Sequence, residues 1–161
     1  MISESGGKHS SQLYPVNDKD TELTGKLSKL FRNSLKNQSF KGVVAFPSYN
    51  DNSIDACGIE RMEKISENLD SENNYSRDEF DLISLYFGEA EQMPFDKEGR
   101  IILPKKLINH AQIEKNVLFV GLGPTFKMWN PNHYENKKKN VIKKAISKNI
   151  NPRLKPIPKG M

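Results

Sequence analysis

The chain is 161 residues long, with 25 Lys and Arg against 20 Asp and Glu, a formal net charge of +5 and a single cysteine. That length suits one ordinary domain or two small modules sharing a core and excludes a large multidomain enzyme. Leu, Ile, Val and Phe number 40, enough to build a core, while the longest apolar run, residues 117–122, falls far short of the roughly 20 residues a membrane helix needs.

The charge is unevenly placed. From residue 136 onward there are nine basic side chains and no acidic ones, whereas residues 1–135 hold 16 basic against 20 acidic groups. The basic character belongs to the tail, and a nucleic-acid interface on the body must rest on local placement of cations. The opening residues show neither the basic region nor the apolar run of a secretory signal, and the lone Cys57 builds no disulfide framework; the expected compartment is the cytoplasm.

Residues 1–18, rich in Ser, Gly and Asn without apolar periodicity, read as a flexible leader. A segment then occurs twice at an offset of 74 residues. Glu22-Leu23-Thr24-Gly25-Lys26-Leu27 and Asp96-Lys97-Glu98-Gly99-Arg100-Ile101 both run acid, two spacers, glycine, base, aliphatic. At the same offset Val43-Val44-Ala45-Phe46 falls on Val117-Leu118-Phe119-Val120. An internal duplication is the economical explanation. It divides the chain into a first unit at 19–59, a helical connector at 60–87, a second unit at 88–131 and a basic helix and tail at 132–161, each unit reading strand, short helix, apolar strand, turn, second strand.

In the connector, Ile59, Met62, Ile65 and Leu69 recur at helical spacing and predict a helix with one apolar face. After a polar break at 70–75, Ser76-Arg77-Asp78-Glu79 is a capping box opening a helix with Phe80, Ile83 and Phe87 on one stripe. Residues 60–92 carry ten acidic groups against three basic, a surface unsuited to a phosphate backbone. In the second unit, Pro104 in a first turn opens a short helix through Lys105-Lys106-Leu107-Ile108. Val117–Val120 reads as a strand buried on both faces, and Thr125–Trp129 alternates as a half-buried strand. Asn130 then caps a helix with Pro131 at its first position.

The chemistry concentrates in Asp96–Arg100. Asp96 can accept backbone N–H bonds, Gly99 can take positive φ without steric cost, and Arg100 leaves the turn at the start of a strand. A guanidinium so placed matches guanine O6 and N7, or a phosphate, with two hydrogen bonds. Lys97, Lys105 and Lys106 lie near enough in sequence to contact phosphates. The plainer alternative is a hairpin turn with a surface arginine paired to Asp96 or Glu98.

The run Phe87–Pro104, the strand Val117–Gly121 and the segment Phe126–Pro131 resemble the second half of the MraZ family of bacterial transcriptional regulators. Phe40–Ser48 and Ile54–Glu60 resemble its first half. The resemblance covers about Leu23 to Asn136. It implies an α+β fold with a mainly β core: two tandem AbrB/SpoVT-like units, each with an acid-x-x-Gly-Arg loop, forming a small pseudo-symmetric β-barrel with appended helices. It also implies assembly into a homo-oligomeric ring and binding of double-stranded DNA at short direct repeats upstream of division and cell-wall genes. No cofactor, metal, small-molecule substrate, membrane or catalytic residue is implied, and the location is cytoplasmic and nucleoid-associated. Arg100 is then the principal DNA-binding residue, Lys26 its counterpart, and Lys97, Lys105, Lys106 and Arg32 are phosphate contacts, with Asp96, Gly99, Glu22 and Gly25 shaping the loops. The first copy departs from the pattern: Glu22 stands for Asp, Lys26 for Arg, and the following proline is missing. Lysine keeps the charge and loses the bidentate fork. Either this copy is partly degenerate or Arg32 takes over part of its role.

An antitoxin-like interaction module of the AbrB type is the alternative, since the same unit serves antitoxins; an enzyme finds no paired His, Cys or Ser constellation. Cys57, at the end of an apolar strand, reads as a small buried hydrophobe. His9, His110 and His133 match no zinc spacing. Gly121-Leu122-Gly123 lacks the rest of a dinucleotide fingerprint and reads as a turn. Trp129 reads as packing at a helix or subunit contact, and the lysine-rich tail as a solvated face or a non-specific DNA contact.

Overall fold

The computed structural model describes residues 12–15, 17–19, 22–26, 39–70 and 75–152, as backbone alone for 12–26 and for residue 70. The strands are β1 (Gln12–Pro15), β2 (Asn17–Lys19), β3 (Glu22–Lys26), β4 (Gly42–Pro47), β5 (Ser53–Cys57), β6 (Glu91–Pro94), β7 (Arg100–Leu103), β8 (Asn116–Leu122) and β9 (Thr125–Trp129). The helices are α1 (Ile59–Asp70), α2 (Arg77–Glu89), α3 (Lys105–Ala111) and α4 (Pro131–Ser147).

Local chemistry sets the helix ends. Ser76 accepts from the Glu79 backbone N–H while the Glu79 carboxylate takes the Ser76 N–H at 2.7 Å, closing the expected capping box of α2. The Asn130 side chain accepts from Asn132 N–H at 2.9 Å at the head of α4, with Pro131 beside it, and donates to Gln112 O. Pro104 lies at the N-cap of α3, one residue before its first turn.

Alternation sets the sheets. Six strands pair antiparallel in the order β1-β8-β9-β5-β4-β6, and three more in the order β2-β3-β7. One face of the larger sheet, through Val43, Ala45, Ile54, Ala56, Val117, Phe119, Phe126 and Met128, meets Leu107 and Ala111 of α3 and Ile101 and Leu103 of β7 in the main core. The opposite face of β4 and β5, through Val44 and Cys57, packs under α1 and α2 by way of Met62 and Phe87. The strands with both faces covered are therefore β4 and β5. In β8, by contrast, Val117 and Phe119 are buried and Leu118 and Val120 only half-buried, so this strand is covered fully on one face alone. On α2 the inward stripe is Ile83, Tyr86 and Phe87; Phe80, expected on it, is exposed.

Two expectations are corrected. Gln12–Pro15 and Asn17–Asp18, read as leader, lie in strands: β1 pairs with β8, Leu13 opposite Leu118, and β2, which runs on to Lys19, pairs with β3. Pairing with an existing strand edge overrides a composition that carries no strand signal of its own. The sheet is also not a closed barrel. It ends at β1 and β6, and the chain leaving β6 turns through residues 95–99 into β7, which pairs with β3 of the second sheet instead of returning to β1. Residues 95–99 thus form the corner between sheets. The leader up to residue 11 lies outside the described residues, as do the short helix expected after the first copy and the chain beyond residue 152.

Candidate nucleic-acid interface

The corner is built around one carboxylate. Asp96 Oδ1 accepts the backbone N–H of Glu98 (2.8 Å) and of Arg100 (2.9 Å), and Oδ2 accepts Arg100 Nε at 2.6 Å. The backbone closes the same turn, with Gly99 N donating to Asp96 O and Asp96 N to Arg100 O. Gly99 is buried with φ +76°, a conformation that an L side chain adopts only at a cost. The hydrogen bond from the Arg100 N–H, followed by that from its side chain, holds the Asp96 carboxyl below its ordinary range, and the same pairing raises the Arg100 guanidinium. Glu98 Oε2 takes Nη1 of Arg100 at 3.0 Å. At 41 % side-chain exposure, Arg100 is oriented by its two carboxylate neighbours and stays partly open to solvent.

The turn is anchored from behind: Phe95 N donates to Lys41 O at 3.0 Å, and the half-buried Phe95 ring packs on the main core. Lys97 is exposed in the turn and Lys105 in the first turn of α3. The β3–β7 register sets Lys26 directly opposite Arg100 and Gly25 opposite Ile101. The two basic residues of the two sequence copies are thus cross-strand neighbours.

Lys106 is placed differently from the rest. Its ammonium meets Glu89 Oε2 at 2.9 Å, Glu91 Oε1 at 3.4 Å and the Glu89 carbonyl oxygen at 3.2 Å, and the Glu89 bond raises its pKa. It ties α3 to the acidic end of α2. Glu22 and Gly25 do not shape a turn: residues 22–26 run as the extended strand β3. Glutamate is a residue too long to make the short Asx-type turn that Asp96 makes, and Leu23 and Thr24 favour extended backbone. Arg32 lies outside the described residues.

A second polar cluster escaped the sequence reading. The β5–β9 register pairs Asp55 with Lys127. Lys127 Nζ reaches Asp55 Oδ1 at 2.8 Å, Ser48 Oγ at 3.0 Å, Ser53 Oγ at 3.3 Å and Asp51 Oδ1 at 3.4 Å. Ser53 also donates to Asp51, and Lys137 of α4 comes within 4.0 Å of Asp51 Oδ2. Burial raises the Asp51 pKa, but the Ser53 bond and the Lys127 charge outweigh it and leave the carboxyl below its ordinary value. Polar residues at outward positions of two half-buried strands were the available signal, and only pairing brings them together.

The remaining candidates fall into place. Cys57 is buried and its thiol is pushed up to about 11. His110 Nε2 lies 2.8 Å from Ser48 O, and His9 lies outside the described residues. Trp129 is buried and meets Tyr134 of α4 edge-on at 5.8 Å. Gly123 takes φ +76° in the turn between β8 and β9. Among the described residues no group of three or more His, Cys, Asp or Glu could hold a metal, and no helix is long and apolar enough to cross a membrane.

Residues 86–153, which hold the corner, β7, α3, β8, β9 and α4, match the family model described as "MraZ protein, putative antitoxin-like". A protein of Rickettsia akari (strain Hartford) named transcriptional regulator MraZ is 38% identical over 130 residues, 81% of this chain and 87% of its own length. This chain belongs to the MraZ family. A second MraZ relative, from Pelagibacter ubique (strain HTCC1062), is 41% identical over 115 residues, 71% of this chain and 74% of its own. A third, from Rickettsia canadensis (strain McKiel), is 36% identical over 135 residues, 84% and 91% respectively. These MraZ relatives are named as regulators of transcription and not as enzymes, and matches of this extent reach well upstream of residue 86 into the first copy.

Proposed function

We propose that this protein is a sequence-specific, double-stranded-DNA-binding transcriptional regulator. It acts on short direct repeats upstream of division and cell-wall genes, in the cytoplasm and associated with the nucleoid, without cofactor or small-molecule substrate. The observation that carries the reading is the corner itself: Asp96 and Glu98 orient an arginine that is 41 % exposed, and strand register sets a second basic residue, Lys26, opposite it. Arg100 reads a base edge or phosphate, and Lys97, Lys105 and Arg32 supply phosphate contacts. Lys106, held by Glu89 and Glu91, contributes less to DNA than its charge suggests. Two tandem AbrB/SpoVT-like units, 19–59 and 88–131, supply the fold, a reading supported by the adjacent β4–β5 and β8–β9 hairpins. Copies assemble into a ring, so weak contacts by single subunits sum over successive repeats through high effective concentration.

The test is a salt-dependent titration against DNA from upstream of the protein's own gene, using the full chain and one ending at Asn136. Arg100→Ala lowers affinity about 5- to 150-fold, the equivalent of losing a bidentate contact worth about 1 to 3 kcal/mol. Lys159→Ala, in the tail, changes it little. Equal small losses for both refute the corner and assign binding to the tail. A second reading, an AbrB-type antitoxin-like interaction module, draws on the description of the family model matched over residues 86–153; co-purification of a small stoichiometric protein partner favours it.

A further inference from the structure

The far end of α4 has no packing partner among the described residues of its own chain. Its first turn is tied down through Trp129 and Tyr134, but beyond Tyr134 every side chain of the helix except Ala145 is exposed. Those exposed residues are not merely solvating. Val141, Ile142 and Ile146 form an apolar strip, with Ile146 at 76 % exposure, and Lys137, Lys138, Lys139, Lys143 and Lys144 flank it. Beyond the Lys137–Asp51 ion pair the helix runs on without a packed face, which is marginal in water, and an exposed apolar strip rimmed by charge is the usual mark of an interface.

A complementary surface is offered by α1 and α2. On α2 the exposed Leu82 and Leu85 share a face with Asp78, Asp81 and Glu89, spaced three and four residues apart. On α1, Glu60, Glu63 and Glu67 are exposed. Between the two helices and the sheet opens an apolar cavity of about 350 Å³, lined by Ile65, Tyr75, Ile83, Tyr86 and Phe87 among others. One surface is apolar and basic, the other apolar and acidic.

We propose that the basic helix α4 of one copy docks on the acidic α1–α2 pair of the next, Ile142 and Ile146 meeting the exposed Leu82 and Leu85 while lysines face carboxylates. The contact joins two different surfaces and is heterologous, so each copy offers one free helix and one free acidic pair, and a closing rotation generates a ring. The proposal rests on the homo-oligomeric reading above and names its surfaces.

Two double variants of the full chain test it by light scattering on a sizing column: Ile142→Glu with Ile146→Glu on the helix, and Leu82→Lys with Leu85→Lys on the acidic pair. All four positions are exposed, and circular dichroism checks that the helices are retained. The wild type elutes as a multiple of 18.4 kDa, and each variant alone as the 18.4 kDa monomer. An equimolar mixture at least doubles that mass, because the intact helix of one variant meets the intact acidic pair of the other. The charge-only pair Lys139→Glu with Lys143→Glu and Asp78→Lys with Asp81→Lys, run the same way, serves if an apolar replacement unfolds. A wild-type monomer, a variant that keeps the wild-type mass, or a mixture that stays monomeric overturns the proposal. Mass is read without DNA, and Arg100→Ala leaves it unchanged, so failure of the interface and failure of the DNA-binding reading are told apart.

Discussion

Replacing Lys127 by methionine tests the buried polar cluster behind β5 and β9. The lysine side chain is 19 % exposed and its partners Asp51 and Asp55 are 13 % and 24 % exposed. At an effective dielectric of about 20, unit charges at 2.8 and 3.4 Å attract by about 6 and 5 kcal/mol before desolvation is charged against them. Breaking a fully buried pair costs about 3 to 5 kcal/mol; the residual exposure here brings the expectation to about 2 to 4 kcal/mol. For a chain of this size that is a fall in Tm of about 5 to 15 °C. The pH dependence has a definite sign. The Asp51 carboxyl is depressed in the folded state, so its contribution is present above the unfolded value near 4 and is lost as pH falls through the folded value. The gap between wild type and Lys127→Met is therefore widest at neutral pH and narrows below about pH 4. Adding Asp51→Asn and Asp55→Asn to the variant removes the stranded charges and restores at least half of the loss. Calorimetry at pH 7 and pH 3.5 reads all three effects; a loss below about 1 kcal/mol at pH 7, or no recovery in the triple variant, refutes the assignment.

At the corner, Gly99→Ala forces a side chain into positive φ at a buried position and costs about 1 to 2 kcal/mol, so thermal denaturation drops by about 2 to 8 °C; an unchanged Tm means that the turn relaxes freely. Because the same change displaces Arg100, DNA affinity falls with it although no contacting side chain is removed. Cys57, with its thiol pushed up to about 11 and buried, reacts with maleimide at pH 8 at least about 100-fold more slowly in the native protein than in urea; comparable rates would mark it as an accessible nucleophile.

How much the sequence disclosed follows from the range of each interaction. Ser76–Glu79, Asn130–Asn132 and Asp96–Arg100 close their hydrogen bonds within four residues, and all three motifs fold as their spacing suggests. The Phe126 and Met128 alternation of β9 was likewise legible. The corresponding reading of Glu22–Lys26 failed because the pattern of acid, glycine and base lacks the aspartate whose short side chain closes the turn, and pairing with β2 and β7 keeps it extended. Phe80 was assigned to the covered stripe by periodicity, which gives the face of a helix but not which part of that face the sheet reaches.

The sequence by itself determined the compact corner around Asp96, the helix caps, the apolar faces of α1 and β9 and the split between an acidic body and a basic tail, since each depends on neighbours a few positions apart. Tertiary structure decided what those parts meet. Strand register brought Asp55 to Lys127 and Lys26 to Arg100, added β1 to the edge of β8, and left the sheet open where a barrel was expected. It also set Lys106 against Glu89 and Glu91 on α2 and β6. A period of two or of 3.6 residues fixes which side of an element is apolar, but not which distant strand its edge hydrogen-bonds or which charge lies across from it; those depend on the pairing of whole strands and the burial it achieves.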